Sequence, residues 1–319
     1  MTGILAEGFS RLQAAQTMES YPPLVVTVIL NTNRKADTLA ALDSLSASTY
    51  LNQKILVLDN TSTDGSIPAI RQSHPAVEVI ELAKNLGYAG NNNVGIRAAM
   101  DAGADWVLVL NEDTILAPDC IERLVALGES DSRIGIVGPM VYHHNEPTVI
   151  QSAGGKMTSR WESLHLAQNE PDSGQFPHPH EVDWISGCAI MVRRAVIDQA
   201  GALDERFFYY WEETEWCLRA RKAGWKIFHD PEARLWHKGV QRDYRPGPNV
   251  TYYSTRNRLL MLSKHHAPLS VQIATWLELL RRLISWTVKP QWREMHAHRD
   301  ALWQGMGDFL RKRWGMRPI

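Results

Sequence analysis

A chain of 319 residues, 22% charged, with a formal net charge of −1, has globular length and no electrostatic bias toward nucleic acid. Three widely spaced cysteines (Cys120, Cys188 and Cys217) with no C-x-x-C pair argue against a disulfide framework or zinc cluster and fit a reducing cytosol. Met1 to Tyr21 lacks the basic start and apolar core of a signal peptide, and no window of about 18 uncharged apolar residues occurs. The expectation is a cytoplasmic protein without a membrane span.

After the polar leader, Pro22-Pro23 introduces Leu24 to Leu30, a run suited to a buried strand. Asn31-Thr32-Asn33-Arg34 follows, and Asp37 opens a helical pattern through Leu39, Leu42 and Leu45. A second strand, Lys54 to Leu58, ends at Asp59-Asn60 before a Thr61 to Ser66 turn. A helix and a third strand, Val77 to Ile80, come next. Asn85 to Asn93, rich in Gly and Asn, then leads into a helix carrying Val94, Ile96 and Ala98 to Met100. Val107 to Leu110 is the fourth strand, running into Asn111-Glu112-Asp113-Thr114. This alternation predicts a doubly wound parallel α/β sheet with helices on both faces.

The second half is less regular. Ile134 to Pro139 reads as a strand, His143 to Glu181 as a loop suited to an active-site flap, and Trp184 to Val192 as a further buried strand. Glu212 to Ala223 reads as a helix ending at Gly224. Trp225 to Phe228 is a strand, and Trp236-His237 closes the domain. The tail from about Tyr252 is helical, with Ile273, Leu277, Leu280 and Ile284 forming one stripe beside Arg281, Arg282 and Lys289. A final segment mixes Trp303, Phe309, Leu310 and Trp314 with Arg311, Lys312 and Arg313. It suits a helix packed on the main domain or a second subunit, or an interfacial anchor, because Trp beside Lys and Arg is a headgroup-layer pattern.

Chemistry gathers where open α/β sheets place their crevice, at the carboxyl ends of the strands. Asn31, Thr32 and Asn33, Asp59, and the acids Glu112 and Asp113 fall at one edge. Such amides and carboxylates suit a hydrogen-bonding ligand such as a nucleoside, and the acids suit a hard divalent cation that also holds phosphates. The Gly87 to Asn93 stretch offers backbone amides before a helix N-terminus, where phosphate is favoured. It is not G-x-G-x-x-G and not a Walker loop. Glu212, Glu213 and Glu215 form a second acidic cluster; Glu215 can pair with Arg219 at i+4. Glu213, with nothing local to neutralise it, suits a general base, or else the cluster is an acidic first turn favoured by the helix dipole.

These segments, with Ser186-Gly187, Phe207 to Arg219 and Pro231 to His237, stand in the order seen in family 2 glycosyltransferases, and the chain resembles bacterial rhamnosyltransferases most. The resemblance covers about residues 24 to 260. It implies a GT-A fold over 23–240, with a nucleotide-sugar half at 23–115, an acceptor half at 116–240, and a C-terminal helical extension at 241–319. It also implies an inverting transfer from a nucleotide-diphosphate sugar (dTDP, UDP or GDP) to a saccharide or lipid-linked saccharide in cell-surface polysaccharide synthesis. Asp59 would hold the base, and Asn31 to Asn33 would line the same pocket. Asn85, Gly87, Gly90, Asn91, Asn111 and Glu112 would complete the donor site. Asp113 and His237 would hold Mg2+ or Mn2+, and Glu213 would be the base. Trp184, Ser186, Gly187 and Trp211 would shape the acceptor pocket.

Two positions depart from the family pattern. Asn111 replaces the first aspartate of the DxD-like motif, and Glu213 stands where Asp is usual, so Glu212 or Glu215 could take the base's role. The resemblance leaves room for peripheral membrane contact through the C-terminal helices and for a homo-oligomer. A catalytically degenerate nucleotide-sugar-binding scaffold, or a sugar nucleotidyltransferase, is the alternative; the latter would carry a Gly-rich basic loop after the first strand, where this chain has Asn-Thr-Asn-Arg.

Overall fold

The computed structural model describes residues 22–239 and 241–318, so the leader expected over 1–22 lies, except for Pro22, outside the described residues. The chain begins β1 (Val25–Asn31), α1 (Lys35–Ser46), β2 (Gln53–Asp59), α2 (Ser66–Ser73), β3 (Glu78–Glu81), α3 (Gly87–Asp101), β4 (Trp106–Asn111). The apolar runs of β1, β2 and β4 become adjacent parallel strands because helices cover both their faces. Then come β5 (Thr114–Leu116), α4 (Cys120–Ser130), β6 (Ile134–His143), β7 (Glu146–Ser152), β8 (Gly155–Met157), β9 (Ser163–His165), β10 (His180–Glu181), β11 (Ala189–Arg193), α5 (Arg194–Ala200), α6 (Glu212–Lys222) and β12 (Lys226–His237).

The main sheet has the order β10-β12-β6-β11-β4-β1-β2-β3. Along it the strands are parallel except for β11, which runs against β4 and β6, and the two-residue β10. The sheet is therefore mixed and mostly parallel, and β11 corrects the purely parallel expectation. Three further readings change. Trp184 to Cys188 is not strand; the chain turns there, with Ala189 N donating to Ser186 O, and only Ala189–Arg193 joins the sheet. The strand expected at 225–228 runs on to His237 as β12, whose register against β6 shifts between Asp230 and Arg234. The stretch from 143 to 181 also carries β7 to β10 rather than loop alone. Short strands with few β-branched residues give a weak alternation signal.

Beyond the sheet, α7 (Pro248–Lys264), α8 (Leu269–Val288), a 3-10 turn (Pro290–Met295) and α9 (His296–Leu310) form the helical extension. It docks through Phe207, Phe208, Tyr252, Tyr253, Leu260 and Met261. On α8, Ile273, Leu277, Leu280 and Ile284 are exposed while Thr275 and Leu279 face the protein, and in the final segment Phe309 and Trp314 pack inward while Trp303 and Leu310 are exposed. Among the described residues no helix is long and apolar enough to cross a membrane. All three cysteines are free and buried.

Candidate active site

Register brings the strand ends together: Asn31 lies beside Asp59, and Leu30 beside Asn111. Asn31 and Asp59 are buried and bond to each other, with Asn31 Nδ2 2.7 Å from Asp59 Oδ1. Ser62 N donates to Asp59 Oδ2 at 2.9 Å, the Thr38 hydroxyl donates to Asn31 Oδ1 at 2.9 Å, and Thr63 N donates to Asn33 Oδ1 at 2.7 Å. These bonds tie the turn after β1 to the turn after β2. Thr32 and Asn60 are left facing a cleft of about 530 Å3. Of the expected donor-site residues, Thr32, Asn85, Gly87, Asn91, Asn111, Glu112 and Asp113 line this cleft together with His237. Asn31, Asn33, Asp59 and Gly90 are not in its lining.

The cleft's acidic end is built by β5. Its antiparallel pairing with β12 sets Thr114 opposite His237 and lets Lys238 N donate to Asp113 O at 2.9 Å. His237 Nε2 then stands 3.1 Å from Asp113 Oδ1, while Nδ1 lies 2.8 Å from Gln151 Oε1. Gln151 thereby orients the ring so that Nε2 is the nitrogen facing the carboxylate. Asp113 Oδ1 is buried with no hydrogen-bond donor. Burial works to raise the Asp113 carboxyl, but His237 and Arg34 outweigh it and hold it below its ordinary range. Burial, reinforced by the Asp113 charge, pushes Glu112 up to about 7. Gly239 leaves room here, since a Cβ would meet Asp113 Oδ2 at 2.7 Å and His237 Nε2 at 3.0 Å.

This arrangement fits a divalent cation. Neighbouring ligands on an octahedral ion at about 2.0–2.1 Å stand about 3 Å apart, as Asp113 Oδ1 and His237 Nε2 do. No group of three or more ligating side chains converges among the described residues, so the remaining positions would fall to phosphate and water.

In the Gly- and Asn-rich stretch, helix α3 starts at Gly87 itself, and three backbone amides at its start have partners within the protein. Leu86 N donates to Asn91 Oδ1 at 2.9 Å, Gly87 N to Asn85 Oδ1 at 2.8 Å, and Ala89 N to Phe208 O at 3.3 Å. The Asn85 and Asn91 side-chain oxygens thus cap this helix start, and both residues line the cleft. Gly87 has φ +77, and a Cβ would strike Phe208 O at 2.4 Å, so glycine permits the contact between α3 and the Phe208 loop.

A second cleft, about 460 Å3, holds Glu213 together with Trp184, Trp211, His165 and Tyr210, and reaches Arg258, Leu279, Arg282 and Trp286 of the helical extension. Tyr210 lines both clefts and separates them. Ser186 and Gly187 line neither; the Gly187 carbonyl accepts from the Tyr88 hydroxyl, and a Cβ at this glycine would stand 3.5 Å from Glu213 Cγ. The three glutamates of α6 divide sharply. Glu215 is fully buried among Arg219 Nε (3.0 Å), Lys264 Nζ (2.7 Å) and His265 Nε2 (2.9 Å). Those partners overcome its burial and keep it ionised, which removes it as a base. Glu212 is buried with Oε2 unpartnered, and burial plus the Glu213 charge raise its carboxyl well above the ordinary range. Glu213 is half-buried and raised by desolvation, and it alone of the three faces a cleft.

Sequence reasoning missed what positions that glutamate. Phe208, Tyr210 and Trp211 all have positive φ, at 63, 70 and 78, which costs about 1–3 kcal/mol each for non-glycine residues. The loop is held by α7: Asn257 Nδ2 donates to Phe207 O, Tyr209 O and Tyr210 O at 2.7–2.8 Å. Arg256, fully buried, donates to Phe207 O at 2.9 Å and Gly315 O at 2.7 Å and lies over the Tyr252 and Tyr253 rings. The helical spacing of Tyr252, Tyr253, Arg256 and Asn257 puts four polar or aromatic groups on buried turns, which is the signal that was available.

Residues 22–258 match the family described as Glycosyltransferase like family 2. An N-acetylglucosaminyl-diphospho-decaprenol L-rhamnosyltransferase of Mycobacterium tuberculosis is 30% identical over 244 residues, covering 70% of this chain and 79% of that one. A dTDP-rhamnosyl transferase of Shigella flexneri is 26% identical, over 78% of this chain and 83% of that one. Among solved structures, a Pyrobaculum calidifontis mannosyltransferase in complex with GDP-Man and Mn2+ superposes with TM-score 0.57 at 15% identity, over 96% and 94% of the chains. Staphylococcus aureus TarS with UDP-GlcNAc gives 0.59 at 14%, over 90% and 81%. The fold is that of the GT-A glycosyltransferases, and the chain belongs to glycosyltransferase family 2.

Proposed function

We propose that this glycosyltransferase moves a hexose, rhamnose first among candidates, from a nucleotide-diphosphate donor to a hydroxyl of a saccharide carried on a lipid, with inversion at the anomeric carbon. The observation that carries this reading is the division of labour across Tyr210: a cation-ready Asp113–His237 pair in one cleft and an unneutralised Glu213 in the next. Rhamnose and the lipid-linked acceptor are supported by the names of the relatives at 30% and 26% identity.

In this mechanism the acceptor saccharide lies in the second cleft against Trp184 and Trp211, and Glu213 Oε takes the proton from its attacking hydroxyl. Desolvation raises Glu213 toward working pH, where it is a more effective base than an exposed carboxylate. Glu212, protonated beside it, leaves the negative charge on Glu213. The donor nucleotide lies along Thr32 and Asn60, with Asp59 and Asn31 bracing that wall from behind. Asp113 and His237 would hold Mg2+ or Mn2+, which supplies charge stabilisation for the departing diphosphate. Tyr210 keeps donor and acceptor in adjoining compartments, so approach is by proximity and orientation.

The test is a thermal-shift series of dTDP, UDP and GDP, each with Mn2+ and with EDTA, followed by transfer from the stabilising nucleotide's sugar to a lipid-diphosphate saccharide. A ligand that binds only the native state raises Tm by mass action. Metal-dependent stabilisation by one nucleotide and transfer of its sugar are the expected results. Stabilisation with no transfer would return the chain to the degenerate-scaffold reading.

A further inference from the structure

Helix α8 carries more apolar surface than the fold uses. Leu269, Ile273, Leu277, Leu280, Ile284 and Val288 are each 40–71% exposed. At 3.6 residues per turn they share an arc of about 100° along a helix about 30 Å long. The inward side of the helix is already satisfied, with Leu279 buried and Leu283 and Trp286 packed against Leu259, Leu302 and Met306. A continuous apolar band of this kind on a folded chain marks an interaction surface. Its borders are cationic. Arg281 flanks the stripe, and Lys289 and Arg293 follow its C-terminal end beside the exposed Trp292. None of these three cations has an ion-pair partner among the described residues, and of the two acids between 269 and 295 Glu278 is paired with Arg258 and Arg282, leaving Glu294 exposed.

We propose that α8 lies in the headgroup layer of an anionic membrane, its stripe turned to the acyl chains and Arg281, Lys289 and Arg293 on lipid phosphates. Charge favours this occupant over a second copy of the chain. A two-fold antiparallel pairing of α8 through the stripe would cross near its middle and bring Arg281 close to its own copy, like charge against like. The position of the second cleft favours it independently. Leu279, Arg282 and Trp286 of the same helix line the cleft holding Glu213, so an acceptor bound there has α8 between its saccharide and the bilayer surface. That second argument rests on the proposed lipid-linked acceptor; the exposure and charge of the stripe do not.

The experiment is co-sedimentation of the full chain with vesicles of phosphatidylethanolamine and phosphatidylglycerol, and with vesicles of phosphatidylcholine alone. Binding to the anionic vesicles that weakens with salt is expected. The double variant Leu277→Glu/Ile284→Glu should bind at least about tenfold more weakly, since it removes two inserted apolar side chains and adds charge. Arg281→Ala and Lys289→Ala should each cost about fivefold on anionic vesicles only. Both substituted apolar positions are exposed, and an unchanged Tm for the variant shows that it is folded. Wild-type protein that stays in the supernatant overturns the proposal, a second copy covering the face among the reasons. So does binding that the double variant leaves intact, or binding indifferent to lipid charge. None of these readings uses donor or transfer, so failure here and failure of the proposed activity are separate outcomes.

Discussion

The two clefts on either side of Tyr210 are made by different physics. The first is framed by strand ends, where parallel register fixes Asn31, Asp59 and Asn111 side by side and a small strand, β5, docks the acids on His237. The second depends on a loop of left-handed residues that would relax if released, and on a helix, α7, that reaches across to hold its carbonyls. A frame built by a sheet is stiff by construction; one built by a braced loop is as good as its brace. Substitutions in the first should therefore change what binds, and substitutions in the second should change how well the base is aimed.

The largest effect is expected at Glu213. Glu213→Gln should lower transfer by about 10²–10⁴-fold, the usual contribution of a general base, while leaving donor-induced stabilisation intact. Steady-state rates set beside thermal shifts separate the two, and near-normal turnover would remove Glu213 from its role. Gly239→Ala places a methyl 2.7 Å from Asp113 Oδ2 and should weaken metal affinity about 10–100-fold, read as a higher Mn2+ requirement with normal rates at saturation. An unchanged Mn2+ dependence would mean that the cation does not sit there.

Asn257→Ala tests the brace. It strips donors from three carbonyls, which costs about 1–3 kcal/mol for each carbonyl left dry. The expected signature is a fall in kcat and a rise in acceptor KM with donor binding retained. A Tm loss with unaltered kinetics would make Asn257 merely structural. The smallest effect concerns Glu212. Its carboxyl is protonated in the folded state and ionised in the unfolded chain at neutral pH, so the unfolded state gains stability as pH rises above the ordinary glutamate value. Native stability should fall with rising pH, and Glu212→Gln should flatten that fall, raising Tm by a few degrees at alkaline pH. A Tm–pH profile parallel to wild type would contradict the assigned protonation.

Much of the first cleft could be read from residue order because its signals are local. Apolar runs ending in Asn31, Asp59 and Asn111 announce strands and their functional ends at once. What was hidden there was direction: Asp59 and Asn31 bond each other beneath the wall, whereas Asn60 and Thr32 face the cleft, and a one-residue difference on a strand is a difference of face. The second cleft was legible only in its acids. Glu213 and Glu215 lie two apart, yet one faces a cleft and the other is locked by Lys264 and His265, residues nearly fifty positions away in sequence. The brace from Asn257 is equally remote, and β11 entered the sheet backwards between strands that local pattern alone would have joined. Long-range partners leave no periodicity to detect.

The pairing of Thr114–Leu116 with Leu235–His237 also sets the order in which competence arises. As the chain emerges from the ribosome, the nucleotide-facing strands are complete early, but Asp113 lacks its histidine until nearly the whole sheet has been made. On the proposed function, a chain ending before β12 would lack the Asp113–His237 pair however much of the sheet it had made.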